Sequence, residues 1–213
     1  MAKFLTTQKE FWRQADVVIS AISGAVLLMI SLVINYYAGT YATLHASNPV
    51  TDIILSNIPV VNTEPIFVQG ILVFVAFVAL LLIIEPKRIP FALKSIALWV
   101  VVRSIFISLT HIAPYPEHAI VLSSNLINKF TFGADLFFSG HTGLPFLIAL
   151  LFWNHKALRY TFIATSLIFG TAVLLGHLHY SIDVFAAFFI TDGVYRIAEK
   201  FFAKDYQTFL TTL

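Results

Sequence analysis

The chain has 213 residues, 59% of them hydrophobic and 11% charged, with a formal net charge of +2. Soluble domains carry about 25% charged residues, so charges this sparse exclude an ordinary water-facing surface and point to an integral membrane protein. No basic run or basic–aromatic interleaving suggests a nucleic-acid partner, and the absence of cysteine excludes disulfides and thiolate metal sites.

In chain order, residues 1–16 mix Phe4, Leu5, Phe11 and Trp12 with basic side chains. They read as a segment lying in the headgroup layer, or equally as ordinary snorkelling flanks. FFAKDYQTFL near the C-terminus reads the same way. The first apolar run begins near Val17 and is too long for the core of a signal peptide. A helix needs about 20 apolar residues to cross a bilayer, and six stretches qualify as spans: 17–39, 66–84, 91–112, 142–154, 160–177 and 181–201, the fourth being short. Pro65, Pro86 and Pro90 punctuate the boundaries. The expectation is one all-α domain over residues 1–213, a six-helix transmembrane bundle.

Lys and Arg favour cytoplasmic loops. Lys3, Lys9, Arg13, Lys87, Arg88, Lys94, Lys156, Arg159, Arg196, Lys200 and Lys204 all fall on one side of the six-span topology, against Lys129 on the other. Both termini are therefore expected in the cytoplasm. Arg103, the remaining cation, lies within the third span.

In this topology Arg103, His141, His179 and Asp183 reach a similar depth on the outer side. Charged residues inside a membrane cost ~2.5–3.5 kcal/mol on the lenient insertion scale and are usually kept for pairing or function. HYSID at 179–183 sets a histidine and an aspartate four apart, on one face of a helix. The carboxylate would fix the imidazole's tautomer; the alternative is a structural pair. In SGHTG at 139–143, Ser139 and Gly140 open a helix whose free N–H groups suit a phosphate. Ser139 is either a phosphate donor or a helix cap. His141 suits protonation of a leaving group. Arg103 offers a fork for phosphate oxygens, or an ion pair with an acid such as Asp135 or Asp183.

These stretches resemble the sphingomyelin synthase branch of the type 2 phosphatidic acid phosphatase superfamily. GADLFFSGHTG (133–143) is similar to its third motif and HYSIDVFAAFFIT (179–191) to its fourth. RSIFISLTHIAPYP (103–116) resembles the second, and NPVTDIILSNIP (48–59) more weakly the first. The resemblance implies a triad of His141, His179 and Asp183 and a phosphohistidine intermediate, with His179 as nucleophile. From the residues alone, the two histidines' roles are exchangeable. It further implies a membrane lipid phosphotransferase, moving a phospho-head group from a glycerophospholipid to a ceramide- or diacylglycerol-type hydroxyl or to water, with no cofactor. A lipid phosphate phosphatase on the same scaffold is the alternative. The second arginine of the classical phosphatases is missing, Val173 standing in its place, which favours a less charged phosphodiester. The small chain, without the animal enzymes' N-terminal extension, suggests a bacterial inner membrane with the site facing the periplasm.

Asp135 matches the third motif's acid, as a tuner of a histidine or a binder of a cationic head group. His111 and Glu117 are placed at the same mouth, Asp52 and Glu64 in a lid loop, and some of Phe137, Phe138, Tyr115 and Tyr180 at a lipid entrance. His177 reads as structural. A zinc hydrolase built on His141, His177, His179 and Asp183, and a transporter with a proton relay, are the competing classes.

Overall fold

In the computed structural model, residues 8–9, 11–119 and 135–210 are described. Lys3, Phe4, Leu5, Lys129 and the first two residues of the third motif, Gly133 and Ala134, lie outside them. Among the described residues the secondary structure is helical throughout.

Helix α1, Ala15–Leu44, buries a seam of small residues: Ala21, Gly24, Ser31, Ala38 and Ala42. Small residues let helix backbones approach where no hydrophobic effect drives them together. A Cβ added at Gly24 would lie 3.1 Å from the Leu93 Cβ, so the seam fits closely against α3, Ile89–Leu109. Between them, a π-helical turn at Pro65–Gly70 leads into α2, Ile71–Ile84, and a 3₁₀ turn at Pro86–Arg88 leads into α3. Proline suits such first turns because it lacks the N–H that would go unpaired there. The chain then forms α4 (Gly140–Leu151), α5 (Lys156–Leu175), α6 (Ser181–Phe201) and α7 (Ala203–Leu210).

The helices alternate in direction, so their connections gather at two ends. At one end, Ser47 N–H donates to the His111 carbonyl, Val61 N–H to Leu175, Ala119 N–H to Gly176 and Ser139 N–H to Asp183, all within 3.0 Å. At the other, the Arg88 guanidinium donates to the Leu151 carbonyl at 3.0 Å and Lys94 Nζ lies 2.6 Å from Asp205. Between the ends, Phe91, Phe138, Leu147, Ile148, Phe152 and Phe162 form the fully buried core.

Four helical stretches are long and apolar enough to cross a membrane: Ala15–Leu44, Pro65–Ile84, Pro86–Leu109 and Lys156–Leu175. The two other expected spans differ in kind. Gly140–Leu151 is apolar but only 12 residues long. Ser181–Phe201 carries Asp183, Asp192, Arg196, Glu199 and Lys200. The described part of the N-terminal segment docks on the bundle: Phe11 is buried and Gln8 donates to the Ile83 carbonyl at 2.7 Å. Helix α7 likewise turns back, burying Phe209 against Phe91 and the Arg88 guanidinium.

Candidate active site

The site grows from the junction of α4 and α6. The Ser139 N–H bond to the Asp183 carbonyl fixes the start of one helix to the start of the other. Below it the helices close tightly. A Cβ at Gly143 would come within 2.7 Å of Trp99, whose indole N–H donates to Thr191 Oγ1 at 2.8 Å. A Cβ at Gly170 would sit 3.1 Å from Val184. Only glycine lets α3, α4, α5 and α6 meet here, which puts SGHTG beside HYSID.

His179 and Asp183 do pair, with Nδ1 and Oδ2 3.4 Å apart, but not across a helical face. Helix α6 begins at Ser181, with Tyr180 as its N-cap. Asp183 is at the third helical position, where a carboxylate reaches back to the N-cap N–H. Its Oδ2 accepts Tyr180 N–H at 2.9 Å and meets the imidazole of the residue before it. Since a carboxylate only accepts, Nδ1 carries the proton and Nε2 keeps its lone pair. Among the described residues Nε2 has no hydrogen-bond partner. Both residues are buried.

His141 lies in the first turn of α4. Its Nε2 donates to the Phe67 carbonyl at 3.0 Å, and its ring stacks on Phe67 at 4.0 Å. The π-helical turn before α2 thus positions the second histidine. His179 and Arg103 are close enough to act on His141 electrostatically.

Arg103 stands in the second of its two expected arrangements, paired with an acid. Nε donates to the Phe138 carbonyl at 2.9 Å and Nη2 to the Asp135 carbonyl at 2.6 Å. Both terminal nitrogens donate to Asp135 Oδ2 at 3.3 Å, and Nη1 reaches Asn35 Oδ1 at 3.5 Å. Its five N–H groups have five hydrogen bonds, so the fork holds the 135–138 loop instead of standing open for phosphate. The ion pair with Asp135 is the arrangement present, and Gly140 packs against the guanidinium. Ser139 takes the capping arrangement, one of its two expected roles: it is fully buried, and its Oγ accepts Thr142 N–H at 3.4 Å as the N-cap of α4.

His111 and Glu117 are not brought to the site. His111 Nε2 bonds the Ser108 carbonyl, and its ring packs with Tyr41 and His45 beyond the end of α1. The Glu117 side chain is exposed, and its carbonyl accepts from His177 Nδ1 at 2.8 Å. His177, buried at φ 51°, turns the chain between α5 and α6, a conformation in which histidine is enriched several-fold over most residues. Among the described residues, no three His, Asp or Glu side chains are grouped to hold a metal ion. Phe138 and Tyr180 are core residues and not an entrance.

Asp52 and Tyr180 stand in other roles than those expected of them, and two further contributors, Asn35 and Phe67, have no place in the sequence expectations. Asp52 is no lid: its Oδ1 accepts the N–H groups of Ile54 and Leu55, and its Oδ2 accepts Ser181 N–H at 2.7 Å from 129 residues away. Burial alone would raise its pKa, but the backbone N–H bonds from Ser181, Leu55 and Ile54 outweigh that and hold it below the usual carboxylate range. Tyr180 Oη donates to the Ala113 carbonyl at 2.9 Å and accepts Val50 N–H at 3.2 Å, tying two loops to the start of α6. Asn35, a lone amide in the apolar α1, meets Arg103 and Ser104. Such an intramembrane polar residue was the available signal for Asn35. For Phe67, which acts through a carbonyl, there was none.

The family model described as PAP2 superfamily C-terminal matches residues 133–200, the stretch that carries both histidines and Asp183. That match supports the superfamily and, with it, lipid phosphatase or phosphotransferase chemistry in a membrane protein. No curated protein and no solved structure matches the chain.

Proposed function

We propose that the chain is a membrane lipid phosphotransferase of the sphingomyelin synthase-like branch, working through a phosphohistidine on His179. The observation that carries this reading is the orientation of His179: Asp183 holds Nδ1–H, leaving the Nε2 lone pair free. In the first half-reaction Nε2 attacks phosphorus, the bond to the glycerolipid oxygen breaks, and His141 gives that oxygen a proton. In the second, the acceptor hydroxyl loses its proton to His141, its oxygen attacks phosphorus and the N–P bond breaks. Splitting one displacement into two is the advantage of a nucleophilic side chain. Asp183 stabilises the positive charge that the ring gains when Nε2 is phosphorylated with Nδ1–H still in place. His141 keeps Nε2–H on the Phe67 carbonyl throughout; it enters the first half-reaction as the imidazolium, gives its Nδ1 proton to the leaving oxygen, and regains one at Nδ1 from the acceptor hydroxyl.

Two features favour a phosphodiester donor. Arg103 is committed to the Asp135 loop, and Val173 lies where the classical phosphatases have a second arginine. A dianionic monoester would find fewer open cations here than a singly charged diester. The acceptor is a ceramide- or diacylglycerol-type hydroxyl, or water. In the membrane we read six spans with both termini cytoplasmic, α4 short and α6 partly polar among its neighbours. The basic residues Lys87, Arg88, Lys94, Lys156 and Arg159 then lie in the cytoplasm, and the site faces the periplasm of a bacterial inner membrane.

The test is a product analysis. The purified protein in liposomes with labelled ceramide, labelled diacylglycerol, common phospholipids and phosphatidic acid should form a new labelled phospholipid. His179→Ala should lower that product at least about a thousand-fold, the scale of losing a catalytic nucleophile. Free phosphate from phosphatidic acid as the sole product would replace this reading with a lipid phosphate phosphatase.

A further inference from the structure

At the end of the bundle opposite the histidines, a cleft of about 550 Å³ opens between the start of α1, the start of α3 and the turn from α6 to α7. Its polar wall has two layers. In the inner layer Lys94 Nζ donates to Asp205 Oδ2 at 2.6 Å and to Ser20 Oγ at 2.7 Å. An ammonium has three N–H groups, so one has no partner among the described residues. In the outer layer Lys204 and Asp16 lie 3.6 Å apart, both more than four-fifths exposed. Such a pair holds little energy, about 0–1 kcal/mol, and separates readily. The lining thus balances two cations against two anions.

The cleft does not end in water. Ile19, on its lip, begins a stripe that continues along α1 through Ile22, Val26, Met29 and Val33, all exposed. At about 1.5 Å per residue the stripe runs roughly 21 Å, more than the ~15 Å depth of one leaflet's hydrocarbon. A charge-balanced cleft at the foot of an apolar track matches a molecule with a zwitterionic head and long chains.

We propose that this cleft is a phospholipid site, separate from the histidine site, which takes a zwitterionic phosphoethanolamine-type headgroup. Its phosphate meets Lys204 and the spare N–H of Lys94, its ammonium meets Asp16, and an acyl chain follows α1. Balanced charge selects against an anionic headgroup, which would leave one negative charge uncompensated. Lipid binding in this cleft does not depend on any reaction at His179.

The test compares lipids that survive delipidation. The protein would be equilibrated in detergent with equal phosphatidylethanolamine and phosphatidylglycerol, washed, and its retained lipids counted by native mass spectrometry. Wild type should retain phosphatidylethanolamine at least five-fold over phosphatidylglycerol. Ser23→Trp, which fills the cleft, and Lys204→Glu, on the exposed rim, should each abolish that excess while thermal unfolding stays near wild type. Millimolar phosphoethanolamine in solution should not displace the lipid, because the track is part of the site; displacement would overturn the lipid assignment. Equal retention of both lipids, preference for phosphatidylglycerol, or an excess that survives Ser23→Trp and disappears in His179→Trp would also overturn the proposal.

Discussion

The two ends of the bundle are built on different principles. At the histidine end, charged and polar side chains bond mainly to backbone. Asp52 takes three main-chain N–H groups, Arg103 takes two main-chain carbonyls, and His141 and Tyr180 each take one. At the basic end, charges pair with each other: Lys94 with Asp205, Arg88 with Glu85, Lys204 with Asp16, and Arg196 with Asp192 and Glu199. Arg88, Lys94 and Asp205 are largely buried, but the rim pairs, Lys204 with Asp16 and Arg196 with Asp192, are exposed, individually weak and exchangeable. Bonds to backbone fix the loops themselves, because an amide cannot swing away as a lysine can. The end where we place the reacting groups is stitched through its main chain, as a site that positions them closely requires, and the rim of the other end is left adjustable.

The largest way to sharpen this contrast is Asp183→Asn. One carboxylate oxygen, Oδ2, meets both Tyr180 N–H and Nδ1. An amide oxygen in that place keeps both contacts, and with them the cap of α6, but removes the charge that holds Nδ1–H and stabilises the cationic ring. Turnover should fall about 10³–10⁴-fold with little change in thermal unfolding. Near wild-type headgroup transfer by this variant would break the assignment of Nε2 as nucleophile.

Next comes the Arg103 latch. Arg103→Lys replaces five directed donors with a point charge and should lower stability by about 2–4 kcal/mol, since Asp135 and two loop carbonyls lose partners. Asp135→Asn should cost less. If the arginine serves the loop, the double variant should be no worse than Arg103→Lys alone, a coupling that a double-mutant cycle on thermal unfolding reads directly. Additive losses would mean that the two residues act separately.

The smallest expected effect is at Asp52, and it depends on pH. Its folded-state pKa lies below the ordinary value of 3.8, so the ionised form is favoured by folding. That contribution is complete above the unfolded pKa and is lost as pH falls through the depressed folded value. Asp52→Asn should therefore be less stable than wild type by about 1–3 kcal/mol at pH 7, and the gap should narrow below about pH 4. Unfolding curves at pH 7 and pH 3.5 check this; a constant gap would mean that the carboxylate's charge plays no part.

What the sequence revealed follows the reach of its signals. Apolar runs marked the helices, and SGHTG and HYSID marked the junction because polar residues are costly within apolar surroundings. The pairing of His179 with Asp183 was legible while its geometry was not. A spacing of four fits a helix face, yet the histidine stands one residue before the cap, and only the carboxylate's reach-back joins them. Arg103 was visible as an intramembrane cation, but its partners on the loop, two of them carbonyls, leave no compositional trace. His111 was misplaced because sequence order gives the end of the helix at which a residue lies, not the side of it.

The bond from Asp52 to Ser181 spans 129 residues, and that span has a consequence for biosynthesis. At roughly 5–20 residues per second, the ribosome takes roughly 6 to 26 s after making the acceptor before the donor amide exists. Until then the first loop can fasten only through its earlier partners, such as the His111 carbonyl that accepts from Ser47. On the proposed mechanism, a chain stalled before its last long helix would lack Asp183, the partner that orients His179, and headgroup transfer would begin only once that helix is made.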